Sequence, residues 1–271
     1  YRDSVLVLLI KLFKIPLVYH LHGKGAIKHY SKATKIYDFV YKNVNIICLS
    51  KSLTDDVSFA NGPIHIIPNG IEQKIYESKK NYNEKANLLY LSNFVKEKGV
   101  LQLLSAVVLI ISKGVSDFKL NLVGGFTKEI DREFIENFIS SYNLKENVII
   151  RGPLYNQDKE DVLKESDIFC FPTYYKNEAF PLVNLEAMQF SLPVISSSEG
   201  GIPDLIVDGY NGFLVDPFDT EKLANSIISL ITDKQLRISM SKNSFKRFSE
   251  NYTLKIFEKN LLNTFNDILD E

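Results

Sequence analysis

Residues 171–203 read FPTYYKNEAFPLVNLEAMQFSLPVISSSEGGIP. The apolar run 168–171 ends at Pro172, as a buried strand running out into a loop does. Residues 173–177 are polar and aromatic. Pro181 suits the first turn of a helix that continues over 182–190. A second strand is expected over 192–195, followed by a loop of small residues at 196–201. Strand, loop, helix, strand and loop in that order make one unit of a parallel α/β layer.

Two carboxylates lie inside this unit, Glu178 just ahead of the helix and Glu186 within it. The first amides of a helix have no partner in the preceding turn, so those of Phe180, Leu182 and Val183 offer a neutral cradle for an anion. Pro181 has no N–H to add. Ionised carboxylates only accept hydrogen bonds, which suits the hydroxyls of a diol. Amides for phosphate and carboxylates for hydroxyls together fit a sugar nucleotide. Taken singly, either Glu reads better as a solvated charge. Glu186 resists that reading more, because Leu185, Ala187 and Met188 flank it.

The rest of the chain extends the pattern. Helical stretches are expected at 4–13, 27–41, 100–113, 127–142, 158–165, 220–232, 234–249 and 252–269. Strands are expected at 15–21, 45–49, 64–67, 88–92, 118–123 and 148–150, and Ser50 as the cap of a following helix. Residues 73–87 are polar and charged and read as a linker or surface loop, and the break near 70–87 suggests two sheets. In such sheets ligands lie beyond the C-terminal strand ends, where this chain places its polar and glycine residues.

Composition narrows the classes. The 271 residues are 45% hydrophobic and 24% charged, ordinary values for a globular protein of one large or two modest domains. A net charge of −1 argues against nucleic acid as a partner. Cys48 and Cys170 sit in apolar runs and read as buried free thiols, not a disulfide framework. The longest apolar run, 100–111, is too short to span a bilayer. There is no Asp-x-Asp pair and no His/Cys cluster with zinc spacing, so no metal site is expected, and no Gly-x-Gly-x-x-Gly, so a dinucleotide fingerprint is absent.

The long ordered match EAFPLVNLEAM (178–188), with Glu-x7-Glu spacing, then LPVISSSEGGIPDLIVDGYNGFLVDP (192–217), resembles the signature of the retaining family 4 glycosyltransferases. YHLHG (19–23), IICLS (46–50), IHIIPNGIE (64–72) and LSNFVKEKG (91–99) precede it in the family's order. The resemblance implies a GT-B fold, two Rossmann-like parallel-sheet domains facing a cleft. Residues 1–72 would be the remainder of an incomplete N-terminal, acceptor-side domain. Residues 73–250 would form the domain that binds the nucleotide sugar, and 251–271 a C-terminal helix packing back towards the first domain.

The resemblance also implies roles. Glu186 holds the ribose diol. Glu178 holds sugar hydroxyls and helps carry developing positive charge. Lys98 and the helix amides stabilise the leaving diphosphate, and His22, at the end of the strand holding His20, positions the sugar. Asn93 stands where the family commonly has an Arg on the diphosphate, which removes one positive charge. Gly200 and Gly201 let the backbone approach sugar or phosphate, or else make a tight turn. Gly124 lies where a base or ribose packs.

The activity implied is transfer of a sugar from a nucleotide-sugar donor, UDP- or GDP-linked, to an acceptor hydroxyl with retained configuration. The enzyme would be of hexosyltransferase type, without metal or cofactor. The acceptor would be a glycan or lipid-linked sugar in bacterial cell-surface polysaccharide or glycolipid synthesis, met in the cytoplasm or by peripheral association at the inner face of the membrane. Two alternatives are a nucleotide-sugar-binding module that needs a partner chain, the chain being a fragment, and a GT-B nucleotide-sugar epimerase.

Overall fold

The computed structural model describes residues 2–74 and 85–270 and contains two parallel sheets. The first part runs α1 (Arg2–Leu12), β1 (Val18–Leu21), α2 (Ala26–Tyr30), α3 (Thr34–Tyr41), β2 (Asn45–Cys48), a 3₁₀ stretch Lys51–Val57 and β3 (Ile64–Ile66). The second begins with β4 (Ala86–Leu91), a 3₁₀ turn Lys96–Lys98, α4 (Val100–Ser112), β5 (Phe118–Val123), α5 (Arg132–Ser141) and β6 (Val148–Gly152). It continues through α6 (Asn156–Glu165), β7 (Ile168–Phe171), α7 (Leu182–Gln189), β8 (Val194–Ser196), α8 (Ile202–Leu205) and β9 (Gly212–Leu214). Helices α9 (Thr220–Thr232), α10 (Lys234–Asn251) and α11 (Leu254–Asp270) close the chain.

The first sheet has the order β1-β2-β3 and the second β6-β5-β4-β7-β8-β9. From β4 the chain moves outward through β5 to β6, then returns to β7 on the other side of β4 and moves outward again. The order therefore reverses between β4 and β7, and their C-terminal ends leave a crevice for a ligand. The strand ends that frame it are buried and mostly aliphatic or aromatic: Leu88–Leu91 on one side, Ile168, Phe169, Cys170 and Phe171 on the other. Burial on both faces is what a parallel sheet between helix layers requires. Helix α4 turns Val100, Leu103, Leu104, Val107 and Ile110 into the same core, at helical spacing.

Several expectations change. The helix expected over 27–41 is two helices bent at 31–33. Tyr30 stacks on Phe59 at 4.4 Å while Tyr37 and Tyr41 meet the same ring edge-on at 5.8 and 5.1 Å, so the bend brings both segments onto one aromatic centre. Helix α5 begins at Arg132, not 127, because Asp131 caps it by accepting from the Phe134 amide at 2.8 Å. Pro181 stands just before α7 rather than in its first turn. Ser50 caps nothing. Its Oγ is buried without a partner among the described residues, and a 3₁₀ stretch follows it. Part of the expected linker, 75–84, lies outside the described residues, and residues 86–87 already belong to β4.

The chain end returns to the first part. The Ile71 amide donates to Tyr252 O (3.0 Å), the Leu254 amide to Ile71 O (2.8 Å), and Phe257 of α11 lies over His20 at 6.1 Å. Both thiols are free and buried. Burial, and then the Asp56 charge, push Cys48 up to about 11, and burial alone pushes Cys170 higher still. Neither thiol should react with a disulfide reagent at pH 8 until denaturant is added. Fast reaction of the folded chain would refute this burial.

Candidate active site

The crevice between β4 and β7 is walled by two loops, 92–99 and 172–181, and the backbone ties them together. Glu97 O accepts from the Tyr174 amide (2.8 Å) and from Thr173 Oγ (3.2 Å). Gly99, with φ of 84°, packs so close that a Cβ there would lie 2.0 Å from Pro172 O. Lys98 closes the 3₁₀ turn by donating its amide to Val95 O at 2.9 Å, and Tyr90 Oη donates to Lys98 O at 3.3 Å. On the other loop the Glu178 amide donates to Tyr175 O at 2.8 Å, which makes a turn over 175–178.

These turns bring two expected site residues together. Lys98 Nζ donates to Glu178 Oε2 at 2.6 Å, with the Glu178 side chain only 10% exposed. The ammonium also lies over the rings of Tyr175 (4.6 Å) and Phe171 (5.6 Å). A charge-assisted bond of this length in a half-buried setting is among the stronger side-chain interactions. Reading the sequence assigns the two residues to different parts of a ligand. In the ligand-free chain they satisfy each other.

Phe180, Leu182 and Val183 enter α7 beside Glu178, and their amides have no hydrogen-bond partner among the described residues. Donors that stay free at a helix start attract anions. Glu186 lies further along α7 and has a different neighbour. It accepts from Lys159 of α6 at 2.8 Å and borders a cavity of about 160 Å³ between α6, α7 and residues 71–74. One carboxylate oxygen of Glu186 is thus engaged by a cation.

The glycines turn out to serve contacts within the protein. At Gly200, φ is 54° and a Cβ would lie 2.0 Å from Glu178 O, while the Gly201 amide donates to Ala179 O at 2.6 Å. The loop after β8 is therefore pressed against the Glu178 turn. Gly124 packs on Ser92 O, and Asn93 Oδ1 accepts from the Gly125 amide at 3.1 Å, which joins the loops after β4 and β5.

The first sheet reaches this region through its own C-terminal loops. Lys24 pairs with Glu199 at 3.3 Å, and the Ser52 amide donates to Asp204 Oδ2 at 3.0 Å. Asp56 accepts from the amides of Gly25 (2.8 Å) and Ala26 (2.9 Å) and so fixes the loop that follows His22. His20 and His22 share a face, as alternation along a strand requires, with ring centres 4.1 Å apart. His20 Nε2 is buried without a partner among the described residues. Desolvation, and then the charge of His22, hold His20 below its ordinary pKa. Tyr175, Lys159, Lys24 and Asp56 were not singled out by sequence reasoning. The aromatic character of 173–177 was the one signal pointing at Tyr175. Among the described residues no group of three His, Cys, Asp or Glu side chains could hold a metal ion, and no helix is long and apolar enough to cross a membrane.

Two parallel sheets whose C-terminal loops meet, with a lysine, a carboxylate and free helix amides at the switch point of the larger one, are the architecture of the GT-B fold. The chain belongs to the glycosyl transferases group 1 family, whose model matches residues 72–247. It is 29% identical over 257 residues to an uncharacterized glycosyltransferase of Methanocaldococcus jannaschii, covering 93% of this chain and 68% of that protein. It is also 29% identical to the capsular polysaccharide biosynthesis glycosyltransferase CapM of Staphylococcus aureus, covering 75% of this chain and 51% of that one. The chain thus spans between half and about two thirds of these relatives' lengths. Its fold matches Anabaena HepE in complex with UDP, with TM-score 0.81 and 21% identity over 97% of this chain and 76% of that one. Sucrose-phosphate synthase of Thermosynechococcus elongatus matches with TM-score 0.73 and 24% identity over 94% and 68%.

Proposed function

We propose that this chain binds a UDP- or GDP-linked sugar and transfers the sugar to an acceptor hydroxyl with retained configuration. The observation that carries the reading is the Lys98–Glu178 pair at the strand-order switch, beside the free amides that open α7. As the bond from the sugar's anomeric carbon to the phosphate oxygen breaks, negative charge grows on the diphosphate and positive charge on the sugar. Lys98 and the amides of Phe180, Leu182 and Val183 face the first, and Glu178 the second. The acceptor hydroxyl attacks on the face the diphosphate leaves. Its proton passes to the departing phosphate oxygen, so no protein nucleophile is needed. Lys98 supplies positive charge and the neutral amides add hydrogen-bond donors for the diphosphate.

Glu186 accepts the ribose hydroxyls with the carboxylate oxygen that Lys159 leaves open. His22 positions the sugar from the first sheet, on a loop held by Asp56. The acceptor is a glycan or lipid-linked sugar of a bacterial cell surface, met in the cytoplasm or at the inner face of the membrane. The relatives' names support this: CapM acts in capsular polysaccharide synthesis, and a further relative is a poly(glycerol-phosphate) alpha-glucosyltransferase of Bacillus subtilis.

Calorimetric titration with UDP and with GDP, without added metal, tests the reading. One nucleotide should bind, and Lys98→Ala and Glu186→Ala should each weaken it about ten-fold or more, the loss expected for a charge-assisted contact. If the folded chain binds neither nucleotide, or if both variants bind like the parent, the site is not where we place it.

A further inference from the structure

We propose that Tyr175 is a positioning residue for the donor's diphosphate, acting through the Lys98 ammonium; the inference rests on the donor site proposed above. A lysine ammonium is a compact charge on a flexible four-carbon stem. In the ligand-free chain two kinds of partner fix it. Glu178 takes one N–H at 2.6 Å, and the rings of Tyr175 and Phe171 face the cation at 4.6 and 5.6 Å.

These partners respond differently to a diphosphate. Glu178 is an anion and competes with phosphate for the same N–H groups. A ring face attracts the ammonium but carries no net charge, so it does not repel the phosphate. When phosphate oxygens draw Lys98 away from Glu178, the rings are the contacts that persist. They hold the ammonium near its binding position before the ligand arrives, and that restriction lowers the cost of ordering a long side chain on binding.

The two rings are placed differently. Phe171 ends β7 and is fully buried, so the core fixes it. Tyr175 is half-buried on the loop, and the backbone there is set independently of its ring. The Tyr175 amide accepts no role from the side chain: it donates to Thr173 Oγ at 3.2 Å, and Tyr175 O accepts from the Glu178 amide at 2.8 Å. Both bonds survive replacement of the side chain, so Glu178 stays where it is when the ring is removed. Tyr175 is also the nearer of the two rings to the ammonium.

The test compares the parent with Tyr175→Leu, Tyr175→Phe and Lys98→Met. Each is titrated with UDP and UMP, and with GDP and GMP, by calorimetry. Tyr175→Leu should weaken the bound diphosphate about ten-fold and leave the matching monophosphate within about two-fold, a ratio set by the strength of a partly desolvated cation–π contact. Tyr175→Phe should bind like the parent, because the ring and not the hydroxyl makes the contact. Equal losses for diphosphate and monophosphate would reduce Tyr175 to a packing residue and overturn the inference. So would a Tyr175→Leu protein that binds like the parent while Lys98→Met does not. If Lys98→Met itself leaves diphosphate binding intact, the donor-site reading falls first, and this inference with it.

Discussion

Replacing Glu178 by Gln should slow sugar transfer by orders of magnitude and at the same time tighten binding of the free nucleoside diphosphate. The two effects have one origin. Glu178 holds the Lys98 ammonium at 2.6 Å, with the side chains only 10% and 21% exposed. A diphosphate must therefore displace or share a carboxylate to reach the lysine, and it must bring its own negative charge close to that carboxylate. A neutral amide removes both obstacles. Removing a repulsion of about 1 kcal/mol, the upper end for partly exposed pairs, corresponds to a roughly five-fold lower Kd for UDP or GDP. Transfer should fall by about 10²–10³-fold, the loss typical when a group facing developing charge is removed. Calorimetry and a donor-turnover assay on the same preparation read both numbers. A Glu178→Gln protein that loses diphosphate affinity as Lys98→Ala does would show that the carboxylate supports the lysine in the bound state and does not compete for it. The folded chain should tolerate the change, because the rings of Tyr175 and Phe171 still face the ammonium.

The framework of this site was legible and its wiring was not. β5 and β7 have the bounds expected: β7 is an unbroken apolar run that Pro172 ends, and β5 alternates apolar residues with Lys119 and Asn121 until Gly124 ends it. β9 escaped notice. It has three residues, and Gly212 at its start serves close packing on Val194 O, a contact no local pattern announces. The single helix expected over 27–41 failed because helical periodicity in aromatic residues does not report that three of the rings converge on Phe59. Lys98 and Glu178 were each candidates through the family resemblance, since their places alone read as well as solvated charges. Their pairing was not legible, since they are 80 residues apart in sequence and meet only because β4 and β7 are neighbours at the switch point. The need for glycine at 200 and 201 was likewise visible, while the surface they approach, the Glu178–Ala179 backbone, emerges only in three dimensions.

Gly99→Ala should cost both stability and nucleotide binding, and Gly114→Ala provides the comparison that separates the causes. Both glycines have φ of 84°, a conformation that costs an L-residue about 1–2 kcal/mol. Around Gly114 nothing lies within 4 Å of an added Cβ, so that variant should lose only this backbone term. At Gly99 the same Cβ would lie 2.0 Å from Pro172 O and 2.6 Å from Pro172 C, atoms of backbone that cannot rotate aside. Relief requires the loop carrying Lys98 to part from the loop carrying Glu178, a displacement that typically costs a further 1–3 kcal/mol. A total of about 2–5 kcal/mol should lower Tm by several degrees more than Gly114→Ala does. The separation would also strain the bonds from Tyr174 and Thr173 to Glu97 O and draw Lys98 from Glu178 and Tyr175. Gly99→Ala should therefore lose diphosphate binding at temperatures well below its own Tm, where the chain is still folded. Gly114→Ala should bind like the parent. Matching Tm values for the two variants, with binding intact in both, would mean that the loops give way without consequence. The coupling of β4 and β7 would then be a feature of packing and not of the site.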